Sequence, residues 1–341
     1  MKKIYIKTFG CVQNRADSER IKSYYWNEGY ELTNKLEEAD LVVINTCVIR
    51  ESAENRAYGL INQLKVKSYK LKVVVTGCLV GTAIRQKKIR ALKAKFPEVN
   101  EFLPITKFDY PNPPLRDKTK AAMIPISSGC NHFCSYCIVP FARGQEISRD
   151  IEGILKEVDW AIKDGFKEVV LIGQSVNSYN DGKFFELLEK VAKKPLEKVS
   201  FISSNPWDFS DELIKVIAKY KNIDRLIHLP IQSGDDEILK KMNRGYTRAF
   251  YLKLVDKIKK EIEGVRISTD IIVGFPGEDE KAFQNTVKLC EKVNFDIAYI
   301  NKYSPRRGTV SAKIYADDVP MAEKKRRWMV LEKLVNEKEL L

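Results

Sequence analysis

Histidine is nearly absent from this sequence, and long hydrophobic runs are missing altogether. His132 and His228 are the two imidazoles among 341 residues, which disfavours a hydrolase or a metal site built on several histidines. No stretch of about 20 apolar residues is available to span a bilayer, and Met1–Phe9 does not begin a signal peptide. We therefore expect a cytoplasmic protein that has no membrane partner.

Two further absences narrow the function classes. The sequence has no phosphate-binding loop with the usual glycine and lysine spacing, which disfavours a nucleotide-hydrolysing P-loop protein. It also has no internal repeat with a period of about 20 to 50 residues and no low-complexity tract, which disfavours a solenoid. We expect a globular protein with individual functional sites.

Positive charge is in excess. Lysine and arginine number 59 against 46 aspartates and glutamates, a formal net charge of +13. Such a surplus favours a polyanionic partner, because lysine and arginine release counterions when they contact phosphates. The alternative is a set of solvated helix faces without a specific partner. The clustered basic residues are Lys65, Lys67, Lys70, Lys72, Arg85, Lys87, Lys88, Arg90, Lys93, Lys95 and the run Lys324–Arg327.

The seven cysteines are an odd number in a chain without a visible export signal. Cysteines that stay inside the cell remain reduced, so clustered ones more often serve metal or redox chemistry than disulfides. Cys290 lies at helical spacing with Phe283 and Val287, which predicts a place in the core. The other six fall into two groups of three, and each group predicts a metal site.

Apolar runs that alternate with amphipathic stretches predict an α/β protein. Residues 1–103 are expected to form a flavodoxin-like parallel βα domain, and the proline-rich stretch 104–122 a linker. Residues 123–315 hold six more βα units, which predict a partial (β/α)6 TIM-like barrel; a full eight-unit barrel is the alternative, but the remaining length is short for it. Residues 316–341 are charged and expected to be helical.

The individual elements follow from the same periodicity. Strands are predicted at Lys3–Thr8, Leu41–Asn45, Lys72–Thr76, Met123–Ser128, Glu168–Ile172, Val199–Ile202, Arg225–Leu229, Ile267–Val273 and Phe295–Ile300. Helices are predicted at Ala16–Glu28, Ser52–Leu64, Gly81–Lys95, Ile151–Lys163 and Phe250–Ile262.

The sharpest motif is a loop with three cysteines that follows the first strand of the second series. Cys130, Cys134 and Cys137 can bind three irons of a four-iron cluster, whereas a closed cluster normally takes four cysteines. The fourth iron is then open to a chelating ligand, and the amino and carboxylate groups of S-adenosylmethionine suit it. A structural zinc site with His132 as fourth ligand is the alternative, although this spacing is unusual for zinc.

This loop resembles the signature of the radical S-adenosylmethionine superfamily, in which an aromatic residue, here Tyr136, precedes the last cysteine. The resemblance implies that the cofactor lies across the carboxyl edge of the barrel, with contacts at later strand ends. Taken singly, glycine and asparagine after a strand more often form only a turn. The implied cofactor contacts are Tyr136, Gly173, Gln174, Asn177, Gln232, Asp270 and Gly274.

A second group of three cysteines lies in the amino-terminal part. Cys11, Cys47 and Cys78 follow three successive predicted strands, and the carboxyl ends of parallel strands meet at one sheet edge, where ligands bind. Gly10 and Gly77 precede two of them and allow close backbone approach. A single buried cysteine is usually only a core residue, but three at equivalent positions predict one converging site.

Two such clusters in this order resemble the methylthiotransferase family over nearly the whole chain. Among its branches, the sequence looks most like the one that modifies N6-isopentenyladenosine at position 37 of tRNA. A branch acting on N6-threonylcarbamoyladenosine of tRNA, or on an aspartate of a ribosomal protein, is the alternative. The motifs that carry the resemblance are Gly10-Cys11, Asn45-Thr46-Cys47, Gly77-Cys78, Arg143-Gly144, Gly173–Tyr179, His228–Gly234 and Tyr303–Arg306.

The resemblance implies two [4Fe-4S] clusters, each with its own role. The cluster on Cys130, Cys134 and Cys137 cleaves S-adenosylmethionine reductively, and the 5′-deoxyadenosyl radical abstracts hydrogen from adenine C2. The cluster on the other three cysteines carries the sulfur, which a second S-adenosylmethionine methylates before the methylthio group reaches the substrate. The implied partners are the anticodon stem-loop of tRNA, a reductant such as flavodoxin or ferredoxin, and a sulfur donor.

The sequence departs from the family pattern in places. Ser175 and Arg307 stand where asparagine and proline are usual, and the small β-rich RNA-binding domain into which family members usually continue is missing after Leu341. We expect the sequence to be truncated there; the alternative is a different mode of RNA binding. Two functions of other classes remain as alternatives: an iron–sulfur electron-transfer protein and a zinc-stabilised RNA-binding module.

Overall fold

The computed structural model describes residues 1–64, 71–109 and 112–337. Its first part begins at Lys2 with a strand and alternates strands with helices up to Phe102. In chain order the elements are β1 (Lys2–Thr8), α1 (Val12–Asn27), β2 (Tyr30–Leu32), a 3-10 turn at Leu36–Glu38, β3 (Leu41–Thr46), α2 (Glu51–Leu64), β4 (Lys72–Gly77), α3 (Cys78–Arg85), α4 (Ile89–Lys95) and β5 (Glu101–Phe102).

The second part runs from Ala121 to Val335. After a 3-10 turn at Ile105–Phe108, its elements are β6 (Ala121–Pro125), β7 (Ser127–Ser128), α5 (Val139–Arg143), β8 (Ile147–Ser148), α6 (Ile151–Lys163), β9 (Glu168–Ile172), a 3-10 turn at Val176–Ser178, α7 (Tyr179–Gly182), α8 (Phe184–Ala192), β10 (Lys198–Phe201), α9 (Asp211–Lys219), β11 (Leu226–His228), α10 (Asp236–Lys241), α11 (Arg248–Glu261), β12 (Arg266–Val273), α12 (Glu280–Val293), β13 (Ile297–Lys302), α13 (Ser311–Ile314) and α14 (Met321–Val335).

The first sheet is wholly parallel, with strand order β2-β1-β3-β4-β5. This is the flavodoxin-like doubly wound order, which confirms the predicted fold class of the amino-terminal part. Its central strand β3 is buried along its whole length, because helices cover both faces of a doubly wound sheet. The register pairs Thr8 with Asn45 and Thr46 with Gly77, so the three strands end side by side.

Six parallel strands of the second part follow one another in chain order. One group is ordered β10-β9-β6 and the other β11-β12-β13, and a parallel bridge between Val199 and Ile223 connects the two groups. This arrangement confirms the predicted partial barrel of six βα units. The predicted strand Met123–Ser128 is interrupted at Ile126, and its last residues pair with β8 in an antiparallel ribbon.

The helices of the second part cover the barrel with apolar faces. In α6, Ile154, Val158 and Ala161 recur every three or four residues and are fully buried, as an amphipathic helix requires. The Asp150 carboxylate caps this helix by accepting a hydrogen bond from Gly153 N over 2.6 Å. Cys290 of α12 is 1% exposed and belongs to the same core, as its spacing predicted.

The two parts of the chain are packed closely together at α3 and α5. A Cβ atom on Gly81 of α3 would lie 2.2 Å from the Ala142 carbonyl oxygen, so only glycine permits this approach. Arg85 donates to the carbonyl oxygens of Ala142 and Arg143, each over 2.8 Å. Farther along the chain, Arg306 Nε donates to Val48 O over 2.6 Å.

The stretch expected to be a linker, 104–122, packs against both parts. Leu115 N donates to Glu19 O of α1, and Arg116 pairs with Glu157 of α6 over 3.0 Å with both side chains nearly inaccessible. Phe108 is buried in the core beside α1. The strand β6 begins at Ala121, inside the expected linker.

Other differences from the sequence-based prediction are local. The single helix predicted at Gly81–Lys95 is two helices, because Lys87 has a left-handed backbone (φ 56°) that ends α3. The strands β2 and β5, three and two residues long, were not predicted, since so short a segment has no measurable alternation. Among the described residues, we find no helix whose length and apolarity would suit a bilayer.

Candidate functional site

The loop between β7 and α5 carries Cys130, Cys134 and Cys137, as predicted. Cys130 and Cys134 are buried and Cys137 is half-buried. The loop closes on itself, because Cys130 N donates to Gly144 O and Cys137 N donates to Cys134 O, each over 3.0 Å. Three cysteines are thereby held on one compact turn at the carboxyl edge of the barrel.

Two segments from elsewhere in the chain fix this loop, residues 241–243 and the start of α13 at Ser311. Ser135 donates through its hydroxyl to Lys241 O and through its amide to Met242 O. Asn243 Nδ2 donates to Phe133 O over 2.9 Å, and Ser311 N donates to Ser135 O over 2.7 Å. These tertiary contacts therefore fix the position of the loop at the carboxyl edge of the barrel.

Burial controls the protonation of two of the three thiols, those of Cys130 and Cys137. Loss of solvent raises the pKa of Cys130 to about 11 and the pKa of Cys137 to about 12, and the neighbouring Cys134 adds to both. The thiols of Cys130 and Cys137 are therefore neutral at pH 7 without a metal, so iron binding must displace their protons.

The positively charged side chain of Arg244 contacts the cysteine loop. Arg244 Nη1 lies 3.3 Å from Cys134 Sγ, and its guanidinium covers the rings of Trp207 and Tyr246 at 4.7 and 5.1 Å. Burial by itself would lower the pKa of Arg244, but the facing tyrosine and cysteine groups raise it, so the side chain stays charged. Arg244 was not identified from the sequence, because nothing near it in the chain marks it.

The predicted contacts after β9 reach the cysteine loop through hydrogen bonds. Asn177 exchanges two with the backbone of Asn205, at 2.7 and 2.8 Å. Asn205 in turn contacts His132 and Asp208, and these two side chains lie 3.0 Å apart. The position of a Gly173 Cβ would be 2.8 Å from Ser127 Oγ, and Gln174 is half-buried beside it.

The predicted contacts from β11 to β12 form a separate group. Gln232 adopts a left-handed backbone (φ 71°), and its amide donates to Asp270 O over 2.9 Å. The Asp270 carboxylate lies 3.1 Å from His228 Nε2. At Gly274, which has a positive φ of 69°, a Cβ would lie 2.3 Å from the Lys324 side chain, so this position packs closely against α14. Tyr136, the aromatic residue of the motif, packs beside Phe275 and Tyr303.

A polar cavity of about 640 Å³ opens beside His132. Glu146 and Ser178, which hydrogen-bond to each other over 2.6 Å, form part of its wall, and Trp207 packs edge-on against His132. The sequence analysis did not single out Trp207, Asp208 or Glu146 as a group, since they come from separate segments.

The second group of cysteines also converges. Cys11, Cys47 and Cys78 follow β1, β3 and β4, which are adjacent in the sheet. A Cβ on Gly10 would lie 2.7 Å from Cys47 Cβ, and Cys47 and Cys78 share a hydrogen bond. This bond from Cys78 lowers the pKa of Cys47 and raises that of Cys78. The predicted convergence at one sheet edge is therefore present in the fold.

A buried amide network holds the strand ends around these cysteines. Asn14 Nδ2 donates to Asn45 Oδ1 and to Thr46 O, and Asn45 Nδ2 returns a bond to Asn14 O over 2.8 Å. Cys11 Sγ lies 3.4 Å from Asn14 Oδ1. Glycine is required at position 77, because its φ is +87° and a Cβ would lie 2.4 Å from Asn45 Oδ1.

A cavity of about 880 Å³ lies between the two parts of the chain and reaches Cys78. Arg143 of α5 and Asp17 of α1 line it and pair over 2.7 Å. In residues 1–64, 71–109 and 112–337, no three histidine, cysteine, aspartate or glutamate side chains are grouped to hold one metal ion. In a four-iron cluster each cysteine binds a different iron, so the thiols need not share one ion.

Part of the basic surface expected from the sequence is occupied by internal contacts. Lys324 is buried and bonds Asp317 and Tyr303 O, and Arg327 is buried against Glu278. The expectation that the run Lys324–Arg327 contacts phosphates is therefore wrong for these two. Lys87, Lys88, Arg90 and Lys93 are exposed. Lys65, Lys67 and Lys70 lie outside the described residues.

Two family models match the two parts of the chain. Residues 3–103 match the uncharacterized protein family UPF0004, and residues 124–290 match the radical SAM superfamily. This chain is 41% identical to each of two proteins named tRNA-2-methylthio-N(6)-dimethylallyladenosine synthase, one from Clostridium botulinum (strain Okra / Type B1) and one from Thermotoga petrophila. The alignments cover 98% of this chain and 81% and 83% of those proteins. The chain belongs to this synthase family.

A third member of the family, from Fusobacterium nucleatum, is 42% identical over 92% of this chain and 79% of its own length. The radical S-adenosylmethionine methyltransferase TsrM of Kitasatospora setae, solved with cobalamin and a [4Fe-4S] cluster, superimposes with a TM-score of 0.68. It is 14% identical, over 92% of this chain and 77% of that one, so the likeness concerns the fold. The family is one of radical enzymes that use S-adenosylmethionine and [4Fe-4S] clusters.

Proposed function

We propose that this protein is a radical S-adenosylmethionine tRNA methylthiotransferase. It adds a methylthio group to C2 of N6-isopentenyladenosine at position 37 of tRNA and gives the 2-methylthio product. The observation that carries the proposal is the presence of two groups of three cysteines, each at the carboxyl edge of its own parallel sheet, in one closely packed molecule. The names of the relatives support the same reaction.

The proposal assigns each group of cysteines to one [4Fe-4S] cluster. Cys130, Cys134 and Cys137 hold the cluster that binds S-adenosylmethionine, and Cys11, Cys47 and Cys78 hold the second. Bound there, these groups supply reductive cleavage of S-adenosylmethionine and the sulfur that is transferred. The proposed cofactor contacts are Tyr136, Gly173, Gln174, Asn177, Gln232, Asp270 and Gly274, of which Gly274 acts through the backbone turn that ends β12.

The protein's own residues position these groups and exclude water. Arg244 places a positive charge 3.3 Å from Cys134 Sγ, which opposes the negative charge of a thiolate ligand. The chain of hydrogen bonds from Asn177 through Asn205 to His132 fixes the strand end next to the cysteine loop. No side-chain nucleophile is required for the transfer.

The domain division and the partners belong to the same proposal. Residues 1–103 form the methylthiotransferase domain, 104–122 the connection, 123–315 the radical domain and 316–341 a carboxyl-terminal helical segment. The partners are the tRNA anticodon stem-loop, a reductant such as flavodoxin or ferredoxin, and a sulfur donor, all in the cytoplasm. The exposed cations Lys87, Lys88, Arg90 and Lys93 supply a basic surface for the RNA backbone.

The decisive experiment is an anaerobic count of iron and sulfide. The reconstituted parent should hold about eight irons per chain, and a variant with Cys11, Cys47 and Cys78 replaced by alanine about four, as two four-iron clusters require. The variant should still cleave S-adenosylmethionine but form no methylthio product. About four irons in both proteins would contradict the proposal and leave an enzyme with one cluster. A colourless, redox-silent protein would instead indicate the zinc-stabilised module.

A second experiment identifies the substrate. The enzyme is incubated with an anticodon stem-loop that carries isopentenyladenosine, with one that carries threonylcarbamoyladenosine, and with a peptide from a ribosomal protein. The proposal expects product from the first alone. Product from either of the other two substrates would assign the chain to a different branch. If S-adenosylmethionine is not cleaved in any of the three reactions, the result would favour an electron-transfer protein.

A further inference from the structure

Arg143 belongs to the second part of the chain, yet its side chain lies at the amino-terminal cysteines. It ends α5, and its Nη2 donates to Asp17 Oδ2 of α1 over 2.7 Å, with each side chain only 4% exposed. Asp17 lies one helical turn after Asn14, which contacts Cys11. Arg143 and Cys78 line the same cavity.

Close packing of two helices places Arg143 there. The backbone of α5 contacts α3 at Gly81, where any side chain would collide with the Ala142 carbonyl. Arg85 then holds the carbonyl oxygens of Ala142 and Arg143. Since α3 begins at Cys78, the end of α5 is seated directly beside the cysteine.

One hydrogen-bond donor of this arginine has no acceptor. Among the described residues nothing accepts a bond from Arg143 Nε, although the atom is inaccessible to solvent. A buried charged donor without an acceptor is costly, and native structures rarely contain one. Burial alone would lower the pKa of Arg143, but Asp17 and the sulfurs of Cys78 and Cys11 raise it, so the group is charged.

We infer that Arg143 contacts the amino-terminal cluster: Nε donates a hydrogen bond to a cluster sulfide or to a cysteine thiolate once the cluster is bound. This inference rests on the proposed function, because it takes Cys11, Cys47 and Cys78 as the ligands of that cluster. Through Arg143, the radical domain completes the site of the other domain.

The expected consequence is a higher reduction potential for the amino-terminal cluster. Hydrogen bonds to the sulfurs and net charge nearby both set the potential of an iron–sulfur cluster. A buried cation stabilises the reduced, more negative state more than the oxidised one. The competing explanation is that the Arg143–Asp17 pair only clamps the two domains together, in which case the potential does not depend on it.

The test uses the full chain with Cys130, Cys134 and Cys137 replaced by alanine, so that only the amino-terminal cluster is present. In this background Arg143→Gln removes the charge, Arg143→Lys keeps the charge but loses Nε, and Arg116→Gln is the matched control. Arg116 is also a buried arginine paired with a carboxylate, Glu157, at 3.0 Å. The midpoint potential is measured by redox titration followed by electron paramagnetic resonance, and the unfolding of the metal-free proteins is measured in parallel.

The inference expects a more negative midpoint potential in Arg143→Gln, a smaller shift in Arg143→Lys, and none in Arg116→Gln. Loss of iron from Arg143→Gln alone, with unchanged unfolding of the metal-free protein, also supports a contact to the cluster. Equal potentials in all four proteins, or equal iron loss in the Arg143 and Arg116 variants, would overturn it. Absence of iron from the background protein itself would show instead that the proposed second cluster is wrong.

Discussion

At the scale of single residues, Arg244 is the side chain that we expect to affect the cysteine loop of the radical domain most directly. Its guanidinium joins Cys134 Sγ, Tyr246 Oη and Pro230 O, and it comes from a segment that lies 110 residues after Cys134. Hydrogen-bond partners of metal ligands typically change metal affinity or activity by about 10 to 100-fold when they are removed.

We therefore expect Arg244→Met to lower cluster retention or the rate of S-adenosylmethionine cleavage by about 10 to 100-fold. The measurement is iron per chain and 5′-deoxyadenosine formed in a single time course. Arg266→Met, which removes an exposed arginine at the start of β12, is the control and should behave as the parent. Equal loss in both variants, or none in Arg244→Met, would contradict this role.

A backbone position offers a second test at this scale. Gly77 and Gly29 both have positive φ, +87° and +83°, but a Cβ at Gly77 meets Asn45 and Thr46 within 2.5 Å, whereas at Gly29 it meets nothing within 4 Å. Gly29→Ala should cost about 1 to 2 kcal/mol from backbone strain alone. Gly77→Ala should cost roughly 2 kcal/mol more, from the collision and the displaced strand end.

The readouts for this pair are denaturant unfolding of the metal-free proteins and the iron count. Gly77→Ala should also lose about four irons, because Cys78 follows directly, while Gly29→Ala keeps its full content. Similar stability and iron content in the two variants would mean that the tight turn at Gly77 does not position the cysteines.

Residues that could be predicted from the sequence carry a signal in their local sequence, and residues that could not be predicted lack one. The six cysteines were predictable because their spacing in the chain, or their place after apolar strands, is itself a signal. Arg244 and Asp208 were not identified from the sequence, and Arg143 was named only within a motif of the family resemblance, without a role at the amino-terminal cysteines. Each is an ordinary polar residue whose role arises only when segments far apart in the chain meet in the fold.

At the scale of the elements, the strands were predicted well because each is an apolar run between turn signals. The ends of β3 and β9 lie within one residue of the prediction. The division between α3 and α4 was missed, since Gln86–Lys88 are as compatible with a helix as their neighbours are. What ends α3 there is the left-handed backbone of Lys87, which no residue type at this position signals in the sequence.

The contact between α1 and the connecting stretch makes a prediction about pH. Glu19 of α1 is buried and accepts a bond from Asp117 N over 3.2 Å, and burial raises its pKa to about 7. A carboxyl whose pKa is higher in the folded state binds more protons there, so folding stability falls as pH rises from about 4.5 through 7. The shift corresponds to at most about 3 kcal/mol.

Glu19→Gln should remove this part of the pH dependence. Relative to the parent, the variant should gain stability between pH 5 and pH 8, with thermal unfolding of the metal-free protein as the measurement. Glu37→Gln, at an exposed glutamate of the same domain, should leave the parent's profile unchanged. If the stability of the parent instead changes with pH in the same way as that of Glu19→Gln, Glu19 is ionised in the folded protein and the prediction is wrong.

At the scale of the whole molecule, an interface made of several kinds of contact joins the two parts of the chain, and the cavity of about 880 Å³ that reaches Cys78 lies along it. The interface consists of backbone approach at Gly81, arginine bonds to carbonyl oxygens, and buried ion pairs at Asp17 and Glu157. These contacts leave the exposed cations on α4 and the turn before it facing solvent, where a polyanion can reach them.

The last prediction concerns this basic surface and follows from the proposed tRNA substrate. Phosphate contacts by lysine and arginine release counterions, so RNA affinity should fall as salt rises, with a logarithmic slope of about 0.7 to 0.9 per contact. The double variant Lys87→Glu with Arg90→Glu should weaken binding and flatten the slope by about one for each lost contact. The control is the double variant Lys253→Glu with Lys260→Glu, which makes the same charge change on α11. It should alter neither the RNA affinity nor the salt slope beyond a small general effect. Binding is measured by fluorescence anisotropy of a labelled anticodon stem-loop at several salt concentrations. If both double variants flatten the slope equally, net charge alone explains the affinity, and the α4 surface is not the site that contacts the RNA backbone.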